Sequence, residues 1–310
     1  MRSRLILVTL VAVLATACLP PADDAGPSAS APEPTFPLSL TDDEGVTVEL
    51  AEAPERIVTW APSLTEALFA LDLGEKVVGV SGDFDNFPPE AAEIEHIGGS
   101  NFQPNVEKVV SLEADLVLDG FGGGEDWKQR LREQDIAVFT LQADTFDDLL
   151  HDLQTVGRLT GANEEAEELV TDMADHAATI EERVGEEDDV SCFFEVGFQG
   201  GFFTVGPGSF IYDLLETAGC APVTSDASDA FPQWSVEALL EDDPDVYLVS
   251  SESGSTVEAV KGRDGFDALS AVKTDQVFLI DSDLISRAGP RVVDGLEALA
   301  DALHPNTDSE

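Results

Sequence analysis

Asn163-Glu164-Glu165-Ala166-Glu167-Glu168-Leu169-Val170-Thr171-Asp172-Met173-Ala174-Asp175-His176-Ala177-Ala178-Thr179-Ile180-Glu181-Glu182-Arg183-Val184 contains neither Pro nor Gly. Ala166, Leu169, Val170, Met173, Ala177, Ile180 and Val184 recur at steps of three and four, the spacing of one apolar stripe along a helix. Asn163 is placed to cap its start, Glu164 and Glu165 suit the positive end of its dipole, and Gly185 can end it. At about 1.5 Å per residue the helix spans roughly 33 Å, the width of a small domain. Patterns of alternating strand and helix lie on both sides, so the segment reads as a strut between two lobes.

On the N-terminal side, Pro37–Leu40 and Val46–Leu50 flank Thr41-Asp42-Asp43-Glu44-Gly45, the pattern of a β-hairpin. Strand-like runs follow at residues 56–60, 77–80, 115–118 and 137–140. Helical patterns occupy residues 63–71, 106–111, 127–134 and 146–159 between and after them. Such alternation predicts a mainly parallel sheet covered by helices on both faces.

The same order returns beyond the strut. Asn105-Val106-Glu107 through Asp115-Leu116-Val117-Leu118 matches Ser235-Val236-Glu237 through Asp245-Val246-Tyr247-Leu248, and the two glutamates are as far apart as the two aspartates. Pro62-Ser63 before one helix matches Gly208-Ser209 before another. The expected fold is α/β, with two similar Rossmann-like lobes of mainly parallel sheet linked by a single long helix. The corresponding division is residues 1–17 signal peptide, 18–37 tether, 38–162 first lobe, 163–185 linking helix and 186–310 second lobe.

The first segment is a targeting signal. Arg2 and Arg4 precede an apolar run from Leu5 to Leu14, too short to span a bilayer, and Ala15-Thr16-Ala17-Cys18 follows. Cys18 after small residues resembles a bacterial lipoprotein processing site, which implies a lipid anchor on the outer face of the cell membrane or in a periplasm. Ordinary cleavage near Ala17 is the alternative. Residues 19–37 are rich in Pro, Ala and Ser, as a flexible tether would be.

With 15 basic against 63 acidic residues the formal charge is −48, which argues against nucleic acid and anionic membranes as partners. Salt screens the self-repulsion of such a surface, so stability is expected to rise with salt. Cys192 opens a strand-like run and Cys220 follows a helical one, which brings them close in a β-then-α unit. A disulfide and two buried thiols both fit that arrangement.

His96, His151, His176 and His304 are scattered without metal-ligand spacing, and no Gly-x-Ser-x-Gly elbow is present. Gly120-Phe121-Gly122-Gly123-Gly124 follows a strand, but Glu125 stands where a dinucleotide fingerprint needs its last Gly. Neither an enzyme nor a metal site is expected. Loop aromatics do stand out: Phe84, Phe102 and Phe121 in the first lobe, Phe198 and Phe231 in the second. Facing each other across a cleft they would suit a large, flat ligand, although each can also pack under its own loop. Asp283 and Arg287 share the last loop, where they can orient polar groups of a ligand or pair with each other. Glu107 and Glu237 sit two residues after capping Asn105 and Ser235. They can serve the helix dipole, or dock on a two-fold symmetric partner.

Pro62-Ser63-Leu64-Thr65-Glu66, the two Val-Glu helices, Phe231-Pro232-Gln233-Trp234-Ser235-Val236-Glu237 and Asp283 through Arg291 resemble the substrate-binding proteins of ABC importers for metal chelates. The cobalamin-binding branch is the nearest likeness. The resemblance implies a monomeric, non-enzymatic binder without a cofactor of its own. It would capture cobalamin, a related corrinoid, or a ferric siderophore or haem, and deliver it to a permease driven by a cytoplasmic ATPase. It also implies ligand contacts at Phe102, Phe121, Phe198, Phe231, Asp283 and Arg287, and permease docking through Glu107 and Glu237; Phe84 joins the expected ligand contacts as an aromatic in a loop after a strand.

Overall fold

In the computed structural model, residues 36–100, 103–185, 190–198 and 201–305 are described. The expected signal peptide, most of the tether, Cys18 and Phe102 lie outside the described residues. A hairpin opens the chain, β1 (Leu38–Thr41) pairing antiparallel with β2 (Thr47–Leu50). Then come β3 (Ile57–Trp60), α1 (Pro62–Ala70), β4 (Val77–Gly79), the short β5 (Gly99–Ser100) and β6 (Gln103–Pro104), and α2 (Val106–Ser111). β7 (Leu116–Asp119), α3 (Glu125–Arg132), β8 (Ala137–Thr140) and α4 (Phe146–Thr160) complete the first half.

α5 is Asn163–Val184, the expected strut. The second half holds β9 (Val190–Glu195), β10 (Gly197–Phe198), β11 (Phe202–Phe203), α6 (Phe210–Thr217), β12 (Cys220–Pro222) and β13 (Gln233–Trp234). It continues with α7 (Val236–Asp242), β14 (Val246–Ser250), α8 (Val257–Lys261), α9 (Ser270–Lys273), β15 (Val277–Ile280), α10 (Ser282–Ile285) and α11 (Val292–Leu303).

The two main sheets have one topology. The first runs β4-β3-β7-β8 and the second β12-β9-β14-β15, with every neighbouring pair parallel. Each strand of one sheet therefore has a counterpart in the other, as the sequence repeat requires. All residues of the inner strands β7 and β14 are buried, because helices cover both faces and alternate side chains enter different cores. Leu116 and Leu118 belong to one core, Val117 to the other. Cys192 in β9 and Cys220 in β12 form a disulfide between adjacent parallel strands, with Cα atoms 5.9 Å apart.

α5 ties the halves together. Its Ala166 packs in the core of the first sheet, whereas Val170, Met173, Ala177, Ile180 and Val184 pack in the core of the second. α4 lies close against it: a Cβ added at Gly157 would come within 2.4 Å of the Ala166 methyl. The expected cap is displaced by one residue. The turn from α4 uses only Gly161, at φ 88°, and Ala162, so Ala162 takes the boundary position and Asn163 is already helical. Ala162 is buried in the first core, which fixes that register. A further correction concerns the last loop, where Asp281 caps one short turn, α10, by accepting from the Asp283 N–H.

Candidate functional site

A cavity of about 700 Å³ opens where the strand ends of the two lobes face each other. Trp60 closes β3, Ser81 and Gly82 follow β4, Gly120 and Phe121 follow β7, and Leu141 to Asp144 follow β8. From the second lobe come Phe210, Glu252, Asp283 and Arg287. Carboxyl ends of parallel strands are where open α/β sheets bind ligands, because the loops there diverge and leave a crevice.

The Pro62-Ser63-Leu64-Thr65-Glu66 stretch holds this end of the first lobe together. The Thr65 hydroxyl meets Thr59 of β3 at 2.7 Å and donates to Asp85, whose other oxygen accepts from Ser81 and the Gly82 N–H. Those bonds fix the loop that presents Phe84 at the cavity, 67% exposed. Glu66 reaches across to the second lobe. Its buried carboxylate accepts from Arg291 Nε at 2.8 Å and from Arg287 Nη1 at 3.0 Å. The bonds it donates to Glu66, with the charge of that carboxylate, raise the pKa of Arg291 above its ordinary value.

Two of the expected contacts are therefore already engaged. Arg287 also donates to Asp283 at 2.7 Å, so the internal pair and the cavity position hold together. Phe121 lies edge-on to Trp60, ring centroids 6.0 Å apart, and both line the cavity. Phe198 and Phe231 do not line it. Phe198 sits in β10 of a separate three-stranded sheet with its ring under the Arg263 guanidinium at 4.3 Å, and Phe231 is exposed just before β13 of that sheet. The guanidinium draws Phe198 in because Arg263 is anchored on buried Glu195 at 2.6 and 2.8 Å. Burial alone would raise the Glu195 pKa, but bonds from Arg263, Tyr247 and Ser255 outweigh it and lower the pKa.

α4 is a wall that the sequence reading missed. A capping box between Thr145 and Asp148 sets its start, and Asp213 of α6 accepts from the Phe146 N–H at 2.8 Å. Leu149, Asp152, Leu153 and Val156 then fall on the cavity side. A signal was present: Asp152 interrupts the apolar face drawn by Phe146, Leu149, Leu153 and Val156. Asp152 is 8% exposed, and burial, reinforced by the charges of Asp43 and Asp148, pushes its carboxyl up to about 8. Among the described lining residues the ionisable groups are Asp144, Asp152, Glu252, Asp283 and a single cation, Arg287. No α5 residue lines the cavity.

Residues 57–284 match the family model described as periplasmic binding protein. The chain belongs to that family. This binding protein is 32% identical over 308 residues, covering 97% of itself and 96% of the relative, to a Bacillus subtilis protein described as the uncharacterized ABC transporter substrate-binding lipoprotein YvrC. It is 31% identical to the cobalamin-binding protein of Halobacterium salinarum over 88% of this chain and 76% of that one. A solved structure of the ABC-type Fe3+-hydroxamate transport system from Saccharomonospora viridis superposes with a TM-score of 0.70 at 28% identity. It covers 87% of this chain and all of that one. The binding protein has no group of three or more His, Cys, Asp or Glu set to hold a metal among its described residues. No helix among them is long and apolar enough to cross a membrane.

Glu107 and Glu237 occupy equivalent places. Each is exposed in the first turn of its helix, after Asn105 accepts from the Lys108 N–H and Ser235 from the Ala238 N–H. Neither carboxylate makes an ion pair or side-chain hydrogen bond among the described residues.

Proposed function

We propose that this chain is the substrate-binding component of an ABC importer and that it captures a corrinoid in the cavity between its lobes. The observation that carries the reading is the make-up of that cavity: Trp60, Phe84, Phe121 and Phe210 beside four carboxyl groups, with the one cation already bound to Asp283 and Glu66. Haem propionates and anionic siderophores need free cations, because a negative group brought beside acidic ones loses hydration without a compensating partner. A corrin ring carries carboxamides on its rim, which accept and donate without charge, and offers a broad apolar face to aromatic rings. The likeness to the Halobacterium salinarum cobalamin-binding protein supports the same ligand. A ferric hydroxamate is the second reading, favoured by the likeness to the Saccharomonospora viridis structure.

Titration calorimetry with cyanocobalamin, haemin and a ferric hydroxamate siderophore tests this. Saturable one-to-one binding of cyanocobalamin alone is expected. Binding of either iron chelate in its place overturns the corrinoid reading. Delivery would run through a permease and its ATPase, with Glu107 and Glu237 as docking carboxylates and a lipid on Cys18 holding the protein at the outer membrane face. Cys18→Ser is then expected to release the protein from the cell; retention in the membrane fraction would remove the anchor from the account.

A further inference from the structure

Asp152 is the strongest unexplained group in the molecule. It sits midway along the α4 wall, is more than nine-tenths buried, and its side chain has no hydrogen-bond or ion-pair partner among the described residues. Among the described residues the other buried carboxyl groups have partners. Asp119 meets Lys128, Glu195 meets Arg263 and Tyr247, Asp85 meets Thr65 and Ser81, and Glu66 meets two arginines. A carboxyl left open on a cavity wall is costly unless something entering the cavity completes it.

Apart from Arg287, which is already engaged, the charged groups around it are acidic. Asp148 precedes it by one turn on α4, with His151 adjacent; Asp43 approaches from the β1–β2 turn and Asp144 from the β8–α4 loop. α6 contributes Asp213, already bonded to α4, and the far wall contributes Glu252 and Asp283. Glu66 of α1 and Arg287 are bound to each other. α5 faces α4 with Ala166, Leu169 and Val170, its carboxylates exposed. Nothing here favours an anion at Asp152.

We propose that Asp152 is a ligand contact, and that it pairs as a neutral acid with a carboxamide of the bound molecule: its O–H donates to the amide oxygen while its carbonyl oxygen accepts from the amide N–H. The proposal rests on the corrinoid reading above. The pairing satisfies both oxygens at once, whereas the ionised form would lose its remaining hydration for one bond among like charges. Ligand capture is therefore coupled to a proton on Asp152, and release is favoured where that proton is lost. The raised pKa agrees with this, because it keeps the acid neutral up to about pH 8.

The test is cyanocobalamin affinity at constant salt from pH 6 to 9.5 for wild type, Asp152→Asn and Asp152→Leu. Wild-type affinity is expected to be level below pH 7 and to fall at least tenfold by pH 9.5. Asn cannot ionise but keeps a donor and an acceptor, so the D152N profile should be flat across the range. D152L, with neither, should bind about tenfold or more weaker than wild type at pH 7. Parallel profiles for wild type and D152N overturn the proposal, as does a D152L affinity equal to wild type; the first comparison decides even when the Leu variant does not fold. Binding that shows these outcomes upholds both readings. Absence of cyanocobalamin binding in wild type at every pH overturns the corrinoid reading together with the carboxamide contact, whereas binding with parallel profiles removes the contact alone.

Discussion

Asp152 also leaves a mark on stability that is independent of any ligand. Its native pKa of about 8 lies above the ordinary carboxylate value of 3.8, so between those values the native state holds a proton that the unfolded chain has released. Its contribution therefore falls as pH rises from about 4 to about 8 and is level above. Asp152→Asn removes that dependence. The variant is expected to gain on wild type with rising pH, by up to several kcal/mol at pH 9, with the difference fading near pH 4. Urea unfolding at pH 5, 7 and 9 measures it, and a pH-independent difference would contradict a buried neutral acid. General charge repulsion also grows with pH, but both proteins share it. Asp283 and Arg287 were legible as a pair from spacing alone. Glu66 was legible only as part of a motif, because its partners lie more than two hundred residues away in the chain.

At the scale of elements, α2 and α7 are the informative pair. Their boundaries follow from Asn105 and Ser235, whose side chains close the first turn, and Glu107 and Glu237 gain about 0.3–1 kcal/mol each from the helix dipole. A dipole role and a docking role predict different outcomes for the double charge reversal Glu107→Lys, Glu237→Lys. If the carboxylates dock, uptake in a reconstituted importer is lost while cyanocobalamin affinity stays the same. If they serve only their helices, stability drops by about 1 kcal/mol and uptake persists. Long or fully buried elements were read within a residue or two, as α5, α4 and β7 show. α10 was not, because four residues carry no periodicity and the turn exists through the Asp281 cap and the packing of Ser282 and Ile285.

For the whole molecule, a formal charge of −48 dominates everything outside the cores. Several of its few cations are spent internally: Lys128 is fully buried between Asp119 and Glu44, Arg263 holds Glu195, and Arg287 and Arg291 hold Glu66 across the cleft. The surface is left with acidic groups that repel over the Debye length, about 10 Å in 0.1 M salt and about 3 Å in 1 M. The melting temperature is accordingly expected to rise between dilute buffer and molar NaCl. Equal values in the two would mean that the surface charges are too far apart to matter.

The sequence by itself determined the two-lobed α/β plan. Burial on both sheet faces, the repeated Val-Glu helices and the apolar stripe of α5 are local patterns, and hydrophobic periodicity records them directly. It also marked Phe84, Phe121, Asp283 and Arg287, which the fold brings to one cavity, and equally Phe198 and Phe231, which it keeps elsewhere. Only the tertiary structure decided which aromatics face the cavity, that α4 forms a wall, and that Arg287 is shared between Asp283 and Glu66. Those outcomes depend on contacts between residues far apart in the chain. Local patterns show that a side chain is buried or exposed, but only packing of one lobe on the other shows against what.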